Sequence, residues 1–112
     1  MKKIIWFITI MFAMSSAAAL EPQMVEADKL YEPAVTINLR ETPPQGFLKR
    51  LGDRKGEVQP GDKLVVQDIE EVNGFLGRYY WFKVGTSSDA DKSLGWIYGG
   101  EKEKTGLLER VK

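Results

Sequence analysis

Two residue types are missing from this chain, and their absence limits its chemistry. The 112 residues include neither Cys nor His, so no Ser–His or Cys–His nucleophile pair can be assembled. A zinc site would have to be all-carboxylate, which that metal seldom accepts. Glu70 and Glu71 form the obvious carboxylate pair, but adjacent residues on a strand point to opposite faces and cannot flank one substrate. No phosphate-loop spacing joins Gly61, Gly74, Gly95 and Gly99, which read as turn and close-packing positions. What remains suits contact rather than bond making: the aromatics of Tyr79-Tyr80-Trp81-Phe82 and Trp96-Ile97-Tyr98, and a basic loop holding Lys49, Arg50, Arg54 and Lys55. Neither an enzyme nor a cofactor is expected.

These residues need short strands to position them. Val35-Thr36-Ile37-Asn38-Leu39 alternates apolar and polar residues with period two, the pattern of a half-buried strand. Pro43 and Pro44 stop it, and residues 47–59 read as a loop rich in charge and glycine. Pro60-Gly61-Asp62 signals a turn into a second strand over 63–69, with room to continue to Val72. Asn73-Gly74 then marks a hairpin, widened toward Arg78, into a third strand over 79–84. Residues 85–93 form a polar loop, 94–98 a fourth strand ended by Gly99-Gly100, and 107–111 a last short one. No segment carries a sustained helical stripe. Five short strands imply an all-β fold closed into a small barrel, which removes exposed sheet edges.

Period two places Tyr80, Phe82 and Val84 on one face of the third strand, and Tyr79, Trp81 and Lys83 on the other. Phe82 and Val84 are expected inside, with Ile37, Leu39, Leu64, Val66 and Ile97. Tyr79 and Trp81 then face outward as exposed rings near Trp96 and Tyr98. Two uses fit them: a ligand groove of Tyr79, Trp81, Trp96 and Tyr98, or a cap in which Trp81 and Trp96 merely cover the barrel or the segment before it. Lys49, Arg50, Arg54 and Lys55 likewise read either as contacts for an acidic or phosphate-bearing partner or as a solvated loop. Arg40, with five donors, is expected to anchor the neighbouring loop through backbone carbonyls, with a ligand contact as the lesser reading.

The N-terminus reads as an address. Lys2 and Lys3 precede the uncharged run 4–14, followed by the small residues Ser15, Ser16, Ala17, Ala18 and Ala19. This is the pattern of a secretory signal peptide, 1–19, cut after Ala19, so that no stable membrane span remains. Residues 20–33, acidic and broken by Pro22 and Pro33, form a leader ahead of a domain at 34–112; whether Met24, Leu30 and Tyr31 pack on that domain stays open. Losing Lys2 and Lys3 takes the 16 basic residues to 14 against 16 acidic ones, a net charge of −2. So weak a field gives no support to nucleic-acid binding. Without Cys the mature chain is neither stapled by disulfides nor acylated as a lipoprotein, which leaves it periplasmic or secreted.

Three sequence islands resemble one family. Asn38-Leu39-Arg40-Glu41-Thr42-Pro43 is similar to the opening of bacterial Src homology 3 (SH3) domains. Pro60-Gly61-Asp62-Lys63-Leu64-Val65-Val66 is similar to their second strand. Trp81-Phe82-Lys83-Val84, followed by Gly95-Trp96-Ile97-Tyr98-Gly99, is similar to their Trp-containing pair. The resemblance implies a five-stranded SH3-like barrel serving as a binding or targeting module of the cell envelope. Its partner would be an envelope protein or peptide, with the peptidoglycan stem peptide as a second ligand class. The reading of a different kind is a structural or regulatory accessory subunit of an envelope complex. The long loops 43–59 and 85–93 depart from the family pattern, so specificity does not carry over.

Overall fold

The computed structural model describes residues 19–46, 50–74, 77–88 and 91–111. Residues 1–18 of the expected signal peptide 1–19, and Lys49, lie outside the described residues. Seven strands form one antiparallel sheet, curled into a half-barrel: β1 (Leu30–Pro33), β2 (Ile37–Arg40), β3 (Arg54–Val58), β4 (Leu64–Asn73), β5 (Arg78–Thr86), β6 (Gly95–Glu101) and β7 (Leu108–Arg110). The spatial order is β3-β2-β6-β5-β4-β1-β7. Five strands were expected, and the two additional ones have distinct causes. β3 lies within the stretch read as a charged loop, and only Val58 of its five residues is buried, so it carries no alternation to detect. β1 arises from the supposed leader, where Pro33 masks the strand signal. Because Pro cannot donate to the ladder, that residue suits a strand's end.

The leader is therefore part of the fold. β1 pairs with β4 on one side and with β7 on the other, so β7 reaches the sheet only through it. Tyr31 is 1% exposed, while Met24 and Leu30 stay largely in solvent at 47% and 41%. The Tyr31 hydroxyl accepts from the Glu26 backbone N–H at 2.9 Å. Pro22, in a single 3-10 turn (Pro22–Met24), is buried beside Gly100 and Gly106. The Leu20 N–H donates to the Leu108 carbonyl at 2.7 Å, and the Gly106 N–H donates to the Leu20 carbonyl at 3.0 Å.

All seven residues expected in the core are buried: Ile37, Leu39, Leu64, Val66, Phe82, Val84 and Ile97. They form one cluster with Val25, Tyr31, Val58 and Leu108. A register shift between Val66 and Asp68 resets the phase of β4, so Ile69 rather than Asp68 follows Val66 onto the core face and stands opposite Phe82. A second shift passes over Gly99, since Tyr80 pairs with Gly100 and Trp81 with Tyr98. Gly99 and Gly100 thus lie inside β6 rather than ending it. A Cβ on Gly99 would overlap the Phe82 ring, so the bare glycine lets that ring sit against the backbone. The Asn73-Gly74 turn is widened as expected: Asn73 stands opposite Arg78, and the Gly74 N–H donates to the Gly77 carbonyl at 2.7 Å. Val35, expected in the first strand, lies outside it and is 48% exposed.

Candidate binding surface

The outer face of β5 and β6 collects the aromatics singled out in the sequence. Trp81 stands opposite Tyr98 with ring centroids 5.4 Å apart, and Tyr79 lies 6.3 Å from the same Tyr98 ring. Both pairs are tilted, the arrangement favoured by the ring quadrupoles. Trp96 is on the same strand face two residues before Tyr98, opposite Lys83 on one side and Arg40 on the other. The four candidates thus share a surface, but not as four exposed rings. Trp81 is only 7% exposed although it stands outside the core cluster, because Tyr98 covers it and the sheet curls. The expectation of an open Trp81 ring is corrected accordingly: Trp81 is a floor, and Tyr79, Trp96 and Tyr98 are its half-buried surround.

A groove of about 310 Å³ runs beside that floor, at the lower end of the volumes that hold small ligands. Its lining includes Trp81 and Tyr98, Asn38 and Arg40 of β2, and Leu51 and Leu107. The groove exists because β2 and β6 share a single register position, Arg40 opposite Trp96, and then part. Leu51 is 52% exposed, a large apolar side chain left in water. The Trp81 indole N–H has no acceptor among the described residues. No described side-chain polar atom is both buried and unpaired, so this donor keeps contact with solvent.

Charge is divided along this face. Arg40 donates to the Gly52 carbonyl at 3.3 Å, the loop-anchoring role expected for it. Arg54 begins β3 directly opposite Arg40, where it donates to Asn38 Oδ1 at 2.9 Å and pairs with Glu57 at 3.0 Å. Lys55 follows it, with its aliphatic stem near Gly95. Among the described residues of the suspected basic set, Arg54 thus stands next to Arg40, and none lines the groove. Arg50 is exposed in a bridge with Gln45. Acidic groups enter this face from the β4 side, where Glu70 stands opposite Trp81 and Asp68 opposite Lys83, while Glu101 pairs with Lys104 at 3.6 Å. Glu70 and Glu71 stand opposite Trp81 and Tyr80 respectively, on the two faces of the sheet, as the alternation required. Burial raises the Tyr98 phenol above its ordinary pKa, and Tyr79 and Glu101 add to the effect.

The sequence reading undervalued Arg40 and Leu51. For Arg40 the residue type favours the anchoring role over a ligand contact, and nothing local shows that it will face Trp96 across the sheet. Leu51 carries no local signal beyond being an apolar residue among charged and glycine positions. Among the described residues no cluster of three or more carboxylates is placed to hold a metal, and no helix is long and apolar enough to cross a membrane. No family model, curated protein or solved structure matches the chain.

Proposed function

We propose that the mature chain is an exported, non-catalytic binding module with an SH3-like barrel, and that it receives an extended peptide or protein segment of the cell envelope. The observation that carries this reading is the aromatic surface of Tyr79, Trp81 and Tyr98 beside an open groove. Aromatic floors of this kind give large contact area at low entropic cost and recur as hot spots of recognition. The three sequence islands that resemble bacterial SH3 domains support it, as does their placement on β2, β4, β5 and β6. Export is supported by the signal-like N-terminus.

The test uses the purified mature protein against solubilised envelope and isolated wall sacculi, with Tyr98→Ala beside it. The wild type is expected to retain a component that the variant, shown to be folded by its circular dichroism melt, loses. If the variant retains the same component, the groove is not the contact and the accessory-subunit reading replaces this one. Retention on sacculi would select the wall peptide over a protein partner. Mass spectrometry of the exported chain should give Leu20 as the first residue; an intact Met1 in the membrane fraction would overturn the export reading.

A further inference from the structure

We infer that the groove between β2 and β6 selects a segment bearing a carboxylate, seated on Arg40, with apolar neighbours against Trp81 and Leu51. The inference rests on the binding-module reading and adds the chemistry of the partner. Arg40 and Arg54 stand directly opposite on β2 and β3, and like charges so placed repel. Arg54 is compensated by Glu57 and Asn38. Arg40 has one backbone acceptor, at Gly52, and no carboxylate within ion-pair distance among the described residues. Lys83 stands on the far side of Trp96, so that ring lies between two cations across the sheet. This end of the groove is therefore positive, with a guanidinium fork whose geometry matches a carboxylate.

The acidic groups nearby leave Arg40 itself unpaired among the described residues. Asp68 stands opposite Lys83 and offsets that cation, and Glu70 approaches Trp81 from the flank away from the groove. Glu101 is engaged by Lys104 at the opposite end of β6, and Glu41 and Asp53 are exposed without an ion pair to Arg40. The rest of the groove favours a peptide over a phosphate polymer. A polyanion without apolar groups would leave Leu51 and the Trp81 floor uncovered, whereas an aliphatic side chain beside an Asp or Glu would cover both. The Trp81 indole N–H supplies a donor for a peptide carbonyl, and the parting of β2 from β6 makes room for an extended chain.

The experiment is selection of a random heptapeptide display library on the purified mature domain. Selected sequences are expected to carry Asp or Glu beside an aliphatic or aromatic residue. A synthetic copy of the most enriched peptide should bind Arg40→Gln roughly tenfold or more weakly, the loss of a charge-assisted contact. Arg40→Lys should fall between the two, and Arg110→Gln, away on β7, should leave affinity unchanged. Circular dichroism melts of each variant establish that it is folded, and Arg40→Lys keeps the test open if Arg40→Gln is not. Enrichment of neutral or basic peptides, or undiminished binding by both Arg40 variants, overturns the inference and leaves the binding module standing. Displacement of the peptide by sodium polyphosphate at equal anion concentration assigns the site to a phosphate polymer and also overturns it. Absence of any enrichment sinks the peptide-binding reading as well.

Discussion

Trp81 and Phe82 are neighbours in sequence, both nearly inaccessible to solvent, and they lie on opposite faces of the same strand. Phe82 is closed in from every side: Ile69 and Ile97 stand opposite it, Tyr80 lies 6.5 Å away along its own face, and the backbone of Gly99 presses against its ring. Trp81 instead packs against the Tyr98 ring, 5.4 Å away, and lines the groove on the outer face. The inner face is mostly aliphatic side chains and Phe82, with the Tyr31 hydroxyl satisfied by the Glu26 N–H, and serves stability. The outer face uses rings with an N–H or a hydroxyl and sets cations beside them, so part of its contact potential remains unspent. Burial alone does not separate core from site; what separates them is whether a buried ring has neighbours on all sides.

The comparison can be broken most severely from the leader, which closes the inner face. A chain begun at Ala34 loses Pro22, Val25, Tyr31 and Pro33 from the interior and leaves β7 without a partner strand. Its denaturant unfolding should lose cooperativity altogether; a sharp transition near that of the mature chain would show that residues 20–33 are dispensable. Phe82→Ala comes next, at about 3–5 kcal/mol, because a filled site is emptied where the surround cannot collapse. Trp81→Ala should cost less, about 2–3 kcal/mol, since solvent can enter the space from the groove side. Equal losses for the two, measured by equilibrium denaturation, would mean that the faces do not differ in the way described.

The elements were legible wherever alternation was strict. Ile37 and Leu39, Leu64 and Val66, Phe82 and Val84, and Ile97 each follow period two, and each is buried. β3 was illegible because an edge strand with one buried residue has no pattern, only charge that keeps its free edge soluble. β1 was illegible because its partners, Leu64 and Val65 on one side and residues 108–110 on the other, are distant in sequence. The candidate surface was readable as a set of aromatics on one alternation phase. The burial of Trp81 was not, since it depends on a cross-strand ring, and neither was the groove, which depends on where two strands part. Arg40 shows the limit most clearly: its type predicts a backbone anchor, and only the register places it between Arg54 and Trp96.

The smallest expected effect is the most specific to the outer face. Burial raises the pKa of Tyr98, with Tyr79 and Glu101 contributing in the same direction. The folded protein therefore holds this phenol protonated at a pH where the unfolded chain, titrating near about 10, has begun to release it. The unfolded state then binds fewer protons than the native one, so the stability linked to this group is full below that pH and is lost as pH rises through the raised value. Tyr98→Phe removes the titrating hydroxyl while keeping the ring over Trp81. At pH 7 it should change stability by less than about 1 kcal/mol, as substitutions away from the filled core do. Above about pH 10 its melting temperature should fall less steeply than that of the wild type. Tyr80, raised first by burial and then by the Glu71 carboxylate, provides the inner-face counterpart, and Tyr80→Phe should flatten the same alkaline limb. If Tyr98→Phe and the wild type lose stability in parallel between pH 9 and 11 while Tyr80→Phe does not, roughly the window around the free phenol value, Tyr98 is open to water in solution. The cover over Trp81 would then have to be assigned to another group.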